Sequence, residues 1–188
     1  MTSAPISPVP LARVPAASGT GPVPRAAEVE AAALGYHPRS ITIEVRGTPA
    51  PQGSKVGIAI RRGGVYTGAV ALLESSRARV STWRDDVLAA GLKARNGHAP
   101  LSGPLVVSMV FTMRKPASAP KRKRTWPCTR PDLSKLARST EDALTSAGIW
   151  GDDGQVIRYF PLAKVYPGED PDALDTPGVR LTITEVTG

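Results

Sequence analysis

Apolar and polar positions begin to alternate at Ser40. Ile41, Ile43 and Val45 fall between Thr42, Glu44 and Arg46, which predicts a half-buried strand. Val56, Ile58 and Ile60 predict a second strand, and Arg61-Arg62-Gly63-Gly64 a turn into Val65-Tyr66. Over residues 76–95 the spacing becomes helical: Val80, Trp83, Val87, Leu88 and Leu92 share one face, and Gly97 stands where a helix stops. Leu105 to Met113 is the clearest strand. Leu105, Val107, Met109, Phe111 and Met113 line one face, while Val106 and Val110 make the other partly apolar, as in a central strand covered on both sides. Residues 132–147 form a second helix with the stripe Leu133, Leu136, Ala137, Thr140, Ala143, Leu144 and Ala147. Asp132 is its N-cap and Gly148 the residue past its end. Val156 to Phe160 reads as a strand stopped by Pro161, and Val179, Leu181 and Ile183 alternate in a closing strand. This order predicts an α/β (α+β) domain: one mixed sheet of about five strands packed by two main helices.

The first 37 residues break the pattern. Pro5, Pro8, Pro10, Pro15, Pro22 and Pro24 deny that stretch a helix or a ladder, and few large apolar side chains offset its ordering entropy. It is expected to be a flexible tail, leaving 38–188 as the single domain. No apolar run approaches the length of a membrane span, and the start lacks the basic-then-apolar pattern of a secretory signal. Cys128 is the only cysteine, which suits a cytoplasmic location. Two histidines and one cysteine cannot build a four-ligand zinc site, so any metal would be a hard cation held by oxygen.

Charge sharpens the picture. The net charge is +8, and residues 37–130 hold 17 Lys/Arg against 4 Asp/Glu, whereas residues 150–188 hold 3 against 7. A basic body with a local acidic cluster is what a nuclease needs, with positive surface for phosphates and a negative pocket for metal. A solvated basic surface explains the charge alone equally well. Arg114-Lys115-Pro116-Ala117-Ser118-Ala119-Pro120-Lys121-Arg122-Lys123-Arg124 cannot form a core element. As a cationic loop it fits backbone contact with DNA. Lys55, at the end of a Pro/Gly-rich loop, joins Lys115, Lys121, Arg122, Lys123, Arg124 and Lys135 as a candidate phosphate contact.

The candidate chemistry lies in residues 131–155. Asp132 stands at the front of the second helix, and Asp152-Asp153-Gly154 form a turn just beyond its end. Carboxylates holding Mg²⁺ would suit phosphodiester cleavage. The ends of a simple helix here lie ~24 Å apart at 1.5 Å per residue, so the return strand or a second subunit must bring them together. A plain N-cap and a plain turn account for the same residues.

Pro131-Asp132-Leu133-Ser134-Lys135, Asp142-Ala143-Leu144, Gly148 and Asp152-Asp153-Gly154-Gln155-Val156 together resemble the RusA family of Holliday-junction resolvases of bacteria and their phages. The Gly47–Lys55 loop resembles that family's N-terminal Pro-rich motif, and the likeness spans roughly residues 40–186. It implies a homodimeric endonuclease, dependent on Mg²⁺ or alternatively Mn²⁺, that cuts four-way DNA junctions by paired nicks in recombination and repair. Asp132 and Asp153 match the family's metal-binding aspartates, and Asp152 is an acidic neighbour. Arg138 falls at the catalytic lysine's position. It can stabilise negative charge but cannot readily donate a proton. Ser134 replaces a second aspartate and Lys135 an asparagine. The loss of that carboxylate leaves a second expectation: a non-catalytic junction-binding module with a degenerate metal site.

Overall fold

The computed structural model describes residues 39–53, 55–74, 77–120 and 122–186. The expected N-terminal tail lies outside the described residues. Four strands make the main sheet: β1 (Arg39–Arg46), β4 (Leu105–Thr112), β5 (Val156–Val165) and β6 (Gly178–Glu185). Their order is β1-β6-β4-β5. The β1/β6 and β6/β4 pairs are antiparallel and β4/β5 is parallel. Parallel neighbours need a crossover, and the second helix, α2 (Leu133–Ser146), supplies it. The first helix, α1 (Arg77–Arg95), precedes β4.

Position in the sheet explains the burial. β4 and β6 are the inner strands. Every residue of β4 is buried, as the apolar residues on both its faces predict. On one face Leu105, Val107, Met109 and Phe111 join Ile43, Val45, Val179, Leu181 and Ile183 in the core beneath the helices. On the other, Leu174 donates its backbone N–H to Thr112 Oγ1 at 2.8 Å, so the acidic 166–177 segment covers the far end of the strand.

Two corrections concern the sheet. The strand expected to stop at Pro161 runs on to Val165. Proline lacks a ladder donor, but β5 is an edge strand, and the register slips between Val107↔Tyr159 and Met109↔Leu162, so Pro161 sits in a bulge. The second strand does not join the main sheet. β2 (Lys55–Arg62) and β3 (Val65–Glu74) form a separate two-stranded hairpin around Gly63-Gly64, whose φ angles of 57° and 82° close a tight turn. Ile58, Val65, Tyr66 and Val70 are about half exposed or more, so both hairpin faces meet solvent.

The helices pack on each other and on the sheet. Trp83 is 1% exposed and donates its indole N–H to Thr140 Oγ1 at 3.2 Å, joining α1 to α2. It is a core anchor, as its helical spacing indicated. Gly91 is where the helices come closest: a Cβ there would stand 2.7 Å from that of Ala147. Any larger residue forces the pair apart and uncovers neighbours such as Leu144, a side chain whose burial stabilises by ~1.5–3 kcal/mol. Gly148, at φ 66°, ends α2 as expected, and Ile149 N–H returns to Leu144 O at 3.1 Å.

Candidate active site

The front of α2 is pinned from two sides. Lys164, near the end of β5, donates to the carbonyls of Thr129 and Pro131 at 2.8 Å each. Gln52, in the Pro/Gly-rich loop, donates its backbone N–H to Lys135 O at 2.9 Å and its side-chain amide to Asp142 Oδ2 at 3.3 Å. That loop therefore braces the helix. Asp142 is also ion-paired with Arg84 of α1. The i,i+4 partnership of Asp142 with Arg138 that helical spacing suggests is not formed. Arg84 lies closer in space, and Asp142 serves as a knot between α1, the loop and α2.

Asp132 caps α2 only through its backbone: its carbonyl accepts from Leu136 N–H at 3.1 Å, and its side chain makes no capping hydrogen bond. The carboxylate is about half exposed and lies 3.4 Å from Lys135 Nζ, one turn on. Ser134 and Arg138 are exposed on α2.

The turn after α2 is built by two of the motif residues and presents a third. Asp152 Oδ1 accepts from Gly154 N–H at 2.7 Å. Gln155 Oε1 accepts from the backbone of Gly151 and Asp152 at 2.8 and 3.1 Å, while its amide donates to the carbonyls of Leu101 and Gly103 at 3.1 and 3.0 Å. Asp152 and Gln155 thus close a capping box that fixes the turn against the chain entering β4. Asp153 is exposed at the first position of that short 3-10 helix (Asp153–Gln155).

Glu141 is the residue that motif reading missed. It is 8% exposed, on the face of α2 turned into the molecule. Burial pushes its carboxyl above the usual range, the charges of Asp153 and Asp142 push it further, and Arg138 pulls it back. No hydrogen bond is among these influences. The signal was present in the pattern: position 141 follows Ala137 by four and precedes Leu144 by three, so a glutamate stands on the apolar stripe.

These positions decide what converges. Among the described residues no three Asp, Glu, His or Cys side chains gather as a metal cluster, so Asp132, Asp152 and Asp153 do not form one site within a chain. The reason is the straight helix between them: Asp132 to Glu141 alone is ~13 Å along the axis at 1.5 Å per residue. Asp153 instead lies within electrostatic reach of Glu141. An exposed carboxylate within reach of a buried one is a hard-oxygen donor pair, and two carboxylates with water and phosphate oxygens suffice for Mg²⁺. The pair fits such an ion; Asp152 is engaged in its turn, and Asp132 stands at the other end of α2.

The candidate DNA contacts separate into groups. Arg122, Lys123 and Arg124 are exposed on the 113–131 connection. Lys115 is not a free cation: its Nζ donates to Glu169 Oε1 at 2.6 Å, and Glu169 Oε2 also accepts from Thr125 N–H at 3.3 Å. Lys115 thus anchors the loop, and its ammonium holds the Glu169 carboxyl below the usual range. Lys135 is turned to Asp132. Lys55 opens β2 by its backbone, and Lys121 lies outside the described residues.

No curated protein sequence matches the chain. The family profile for endodeoxyribonuclease RusA matches residues 61–183, which takes in the hairpin from the end of β2, both helices, the basic connection and the Asp152–Gln155 turn. With well over half of the chain matched, and with Asp153 held out by a turn that its motif neighbours build, this protein belongs to the RusA family of endodeoxyribonucleases.

Proposed function

We propose that this endodeoxyribonuclease is structure-selective, acts on four-way DNA junctions, and hydrolyses phosphodiester bonds with Mg²⁺, or Mn²⁺ in its place. The observation that carries the reading is exposed Asp153 within electrostatic reach of buried Glu141, where Arg138 is the opposing charge among the described residues. When bound there, the ion supplies Lewis acidity toward a phosphate oxygen and its bound water. Asp153 and Glu141 would hold it. The turn fixed by Gln155 keeps Asp153 in position. Arg138, exposed one turn before Glu141, is available to a developing negative charge. Arg122, Lys123 and Arg124 hold the sugar-phosphate backbone.

Paired nicks on a two-fold symmetric junction call for two active sites, so the acting species is proposed to be a homodimer in the cytoplasm of a bacterial host, in recombination and repair. Incubating the protein with a four-way junction and Mg²⁺ tests this. The expected result is symmetric nicking that EDTA stops. An intact junction, beside an active relative that cuts in parallel, overturns it.

Ser134 supports the second reading, a binding module with a degenerate site. Its hydroxyl stands exposed where the family resemblance places a second aspartate. Nicking seen only with Ser134→Asp would favour that module over the enzyme.

A further inference from the structure

The three tryptophans are used in two ways. Trp83 and Trp150 are each 1% exposed, and each donates its indole N–H to a threonine hydroxyl on α2, Thr140 at 3.2 Å and Thr145 at 2.7 Å. Trp126 is 60% exposed and adds nothing to the core. An indole left in water forgoes the stabilisation of burying a large apolar surface. Its setting is a held one. Thr125 N–H is tied to Glu169, Trp126 O accepts from Cys128 N–H at 2.9 Å, Pro127 is buried, and Lys164 grips the carbonyls of Thr129 and Pro131. The Arg124 guanidinium carbon stands 4.1 Å from the centre of the Trp126 ring, a cation–π stack. Arg122, Lys123 and Arg130 are exposed on the same connection, and Asp132 follows six residues after the indole.

A flat ring capped on one side by a guanidinium, fixed at the surface of a connection with further exposed cations, is suited to a ligand that is flat, aromatic and anionic. In an intact duplex the base faces are already covered by neighbouring bases. A base face is available only where stacking is broken, at a branch point or in a single strand. We propose that Trp126, with Arg124 stacked on it, is a platform for an unstacked nucleobase of branched DNA, and that it selects branched over linear duplex DNA. This rests on the junction reading above.

Because Trp83 and Trp150 are buried, a change in tryptophan emission on adding DNA reports Trp126. The full chain is titrated in low salt without Mg²⁺ against a four-way junction, a duplex of one arm's sequence and a single strand of that sequence. Quenching by the junction and the single strand, and little by the duplex, is the expected result. Stacking on an aromatic side chain is worth about 30-fold in affinity at the middle of its range. Trp126→Ala should therefore weaken junction binding, read by anisotropy of a labelled junction, about 30-fold. Trp126→Phe should restore most of it, with duplex binding and the thermal midpoint unchanged in both. Equal quenching by the duplex, no quenching by any DNA, or wild-type junction affinity in Trp126→Ala each overturns the platform. A protein that nicks junctions with Trp126→Ala at full affinity loses the platform and keeps the nuclease. Selective quenching without nicking keeps the platform and loses the nuclease.

Discussion

At the front of α2, Asp132 holds its carboxylate in solvent with the Lys135 ammonium beside it; about two and a half turns on, Glu141 holds its own in the interior with Asp153 and Asp142 as neighbouring charges. The two ends illustrate opposite electrostatics. Asp132 pairs with Lys135 in solvent, and such exposed pairs contribute little to stability. Burial and the charges of Asp153 and Asp142 disfavour the ionised form of Glu141, with Arg138 opposing them, and in the proposed site a divalent cation would add to that relief. Motif position alone would rank Asp132 above Glu141. In the proposed metal site the surroundings reverse that order, and Asp132 stands where the basic 113–131 connection meets α2.

The largest expected effect breaks the comparison at its exposed metal-side member. Asp153→Asn keeps the turn, because Asp152 and Gln155 build it, but removes the outward carboxylate of the pair. Nicking of a junction should fall on the order of 100-fold or more while binding by anisotropy holds. Asp132→Asn, at the other end, should cost no more than about 10-fold. Equal losses from the two would mean that both aspartates serve one ion, with a second subunit joining them.

The next effect belongs to the basic connection that leads into Asp132. Replacing Arg122, Lys123 and Arg124 with alanine should leave cutting at saturating protein nearly intact and weaken binding. The plot of log affinity against log salt should become shallower by roughly 2–3. An unchanged slope would turn that loop away from DNA and deprive the front of α2 of its proposed role.

A smaller effect isolates Glu141. Its raised carboxyl means that ionising it in the fold opposes stability at neutral pH. Glu141→Gln keeps the shape and removes the charge. The metal-free protein should gain on the order of 1 kcal/mol, a rise of roughly 2–4 °C in the thermal midpoint for a chain of this size. The stabilisation that Mg²⁺ confers on the parent should shrink in the variant. A lower midpoint, or an undiminished response to Mg²⁺, would place Glu141 outside the ion's surroundings.

Local periodicity made most of the fold legible. The alternation around Ile43 and Ile183 and the two-faced burial of β4 follow from side chains that each strand carries by itself. The hairpin was harder. Val56, Ile58 and Ile60 read as a strand, but nothing local to them says whether it joins the main sheet, and half-exposed Ile58 and Ile60 do not signal that they lie outside it. Pro161 misled because its missing donor is harmless only at an edge or bulge, which is a property of neighbours. In the site, the turn residues were legible as chemistry but not by role. Asp152 and Asp153 are adjacent, and only the fold reveals that one caps while the other projects. Gln155 and Gln52 were quoted as motif members, yet the contacts that give them their work are 52 to 54 residues away for the one and up to 90 for the other.

The smallest effect concerns acid. Glu169 faces the Lys115 ammonium, the Thr125 N–H and the charge of Arg124, and all three hold its carboxyl below the ordinary glutamate value. A depressed carboxyl contributes stability that is present above the unfolded value, about 4.3, and is lost as pH falls through the lower folded value. The loop anchor should therefore be indifferent to pH between about 7 and 5 and let go only in stronger acid. Trp126, next in the chain to Thr125, reports it: its emission should shift only once pH has fallen below the ordinary glutamate range. Glu169→Gln should show the shifted emission already at neutral pH, with a thermal midpoint close to the parent's. The turn at Asp153 shares no contact with Glu169, so residual nicking by Glu169→Gln should retain its Mg²⁺ dependence. A changed Mg²⁺ requirement in that variant would show that the two ends of α2 are coupled through the loop.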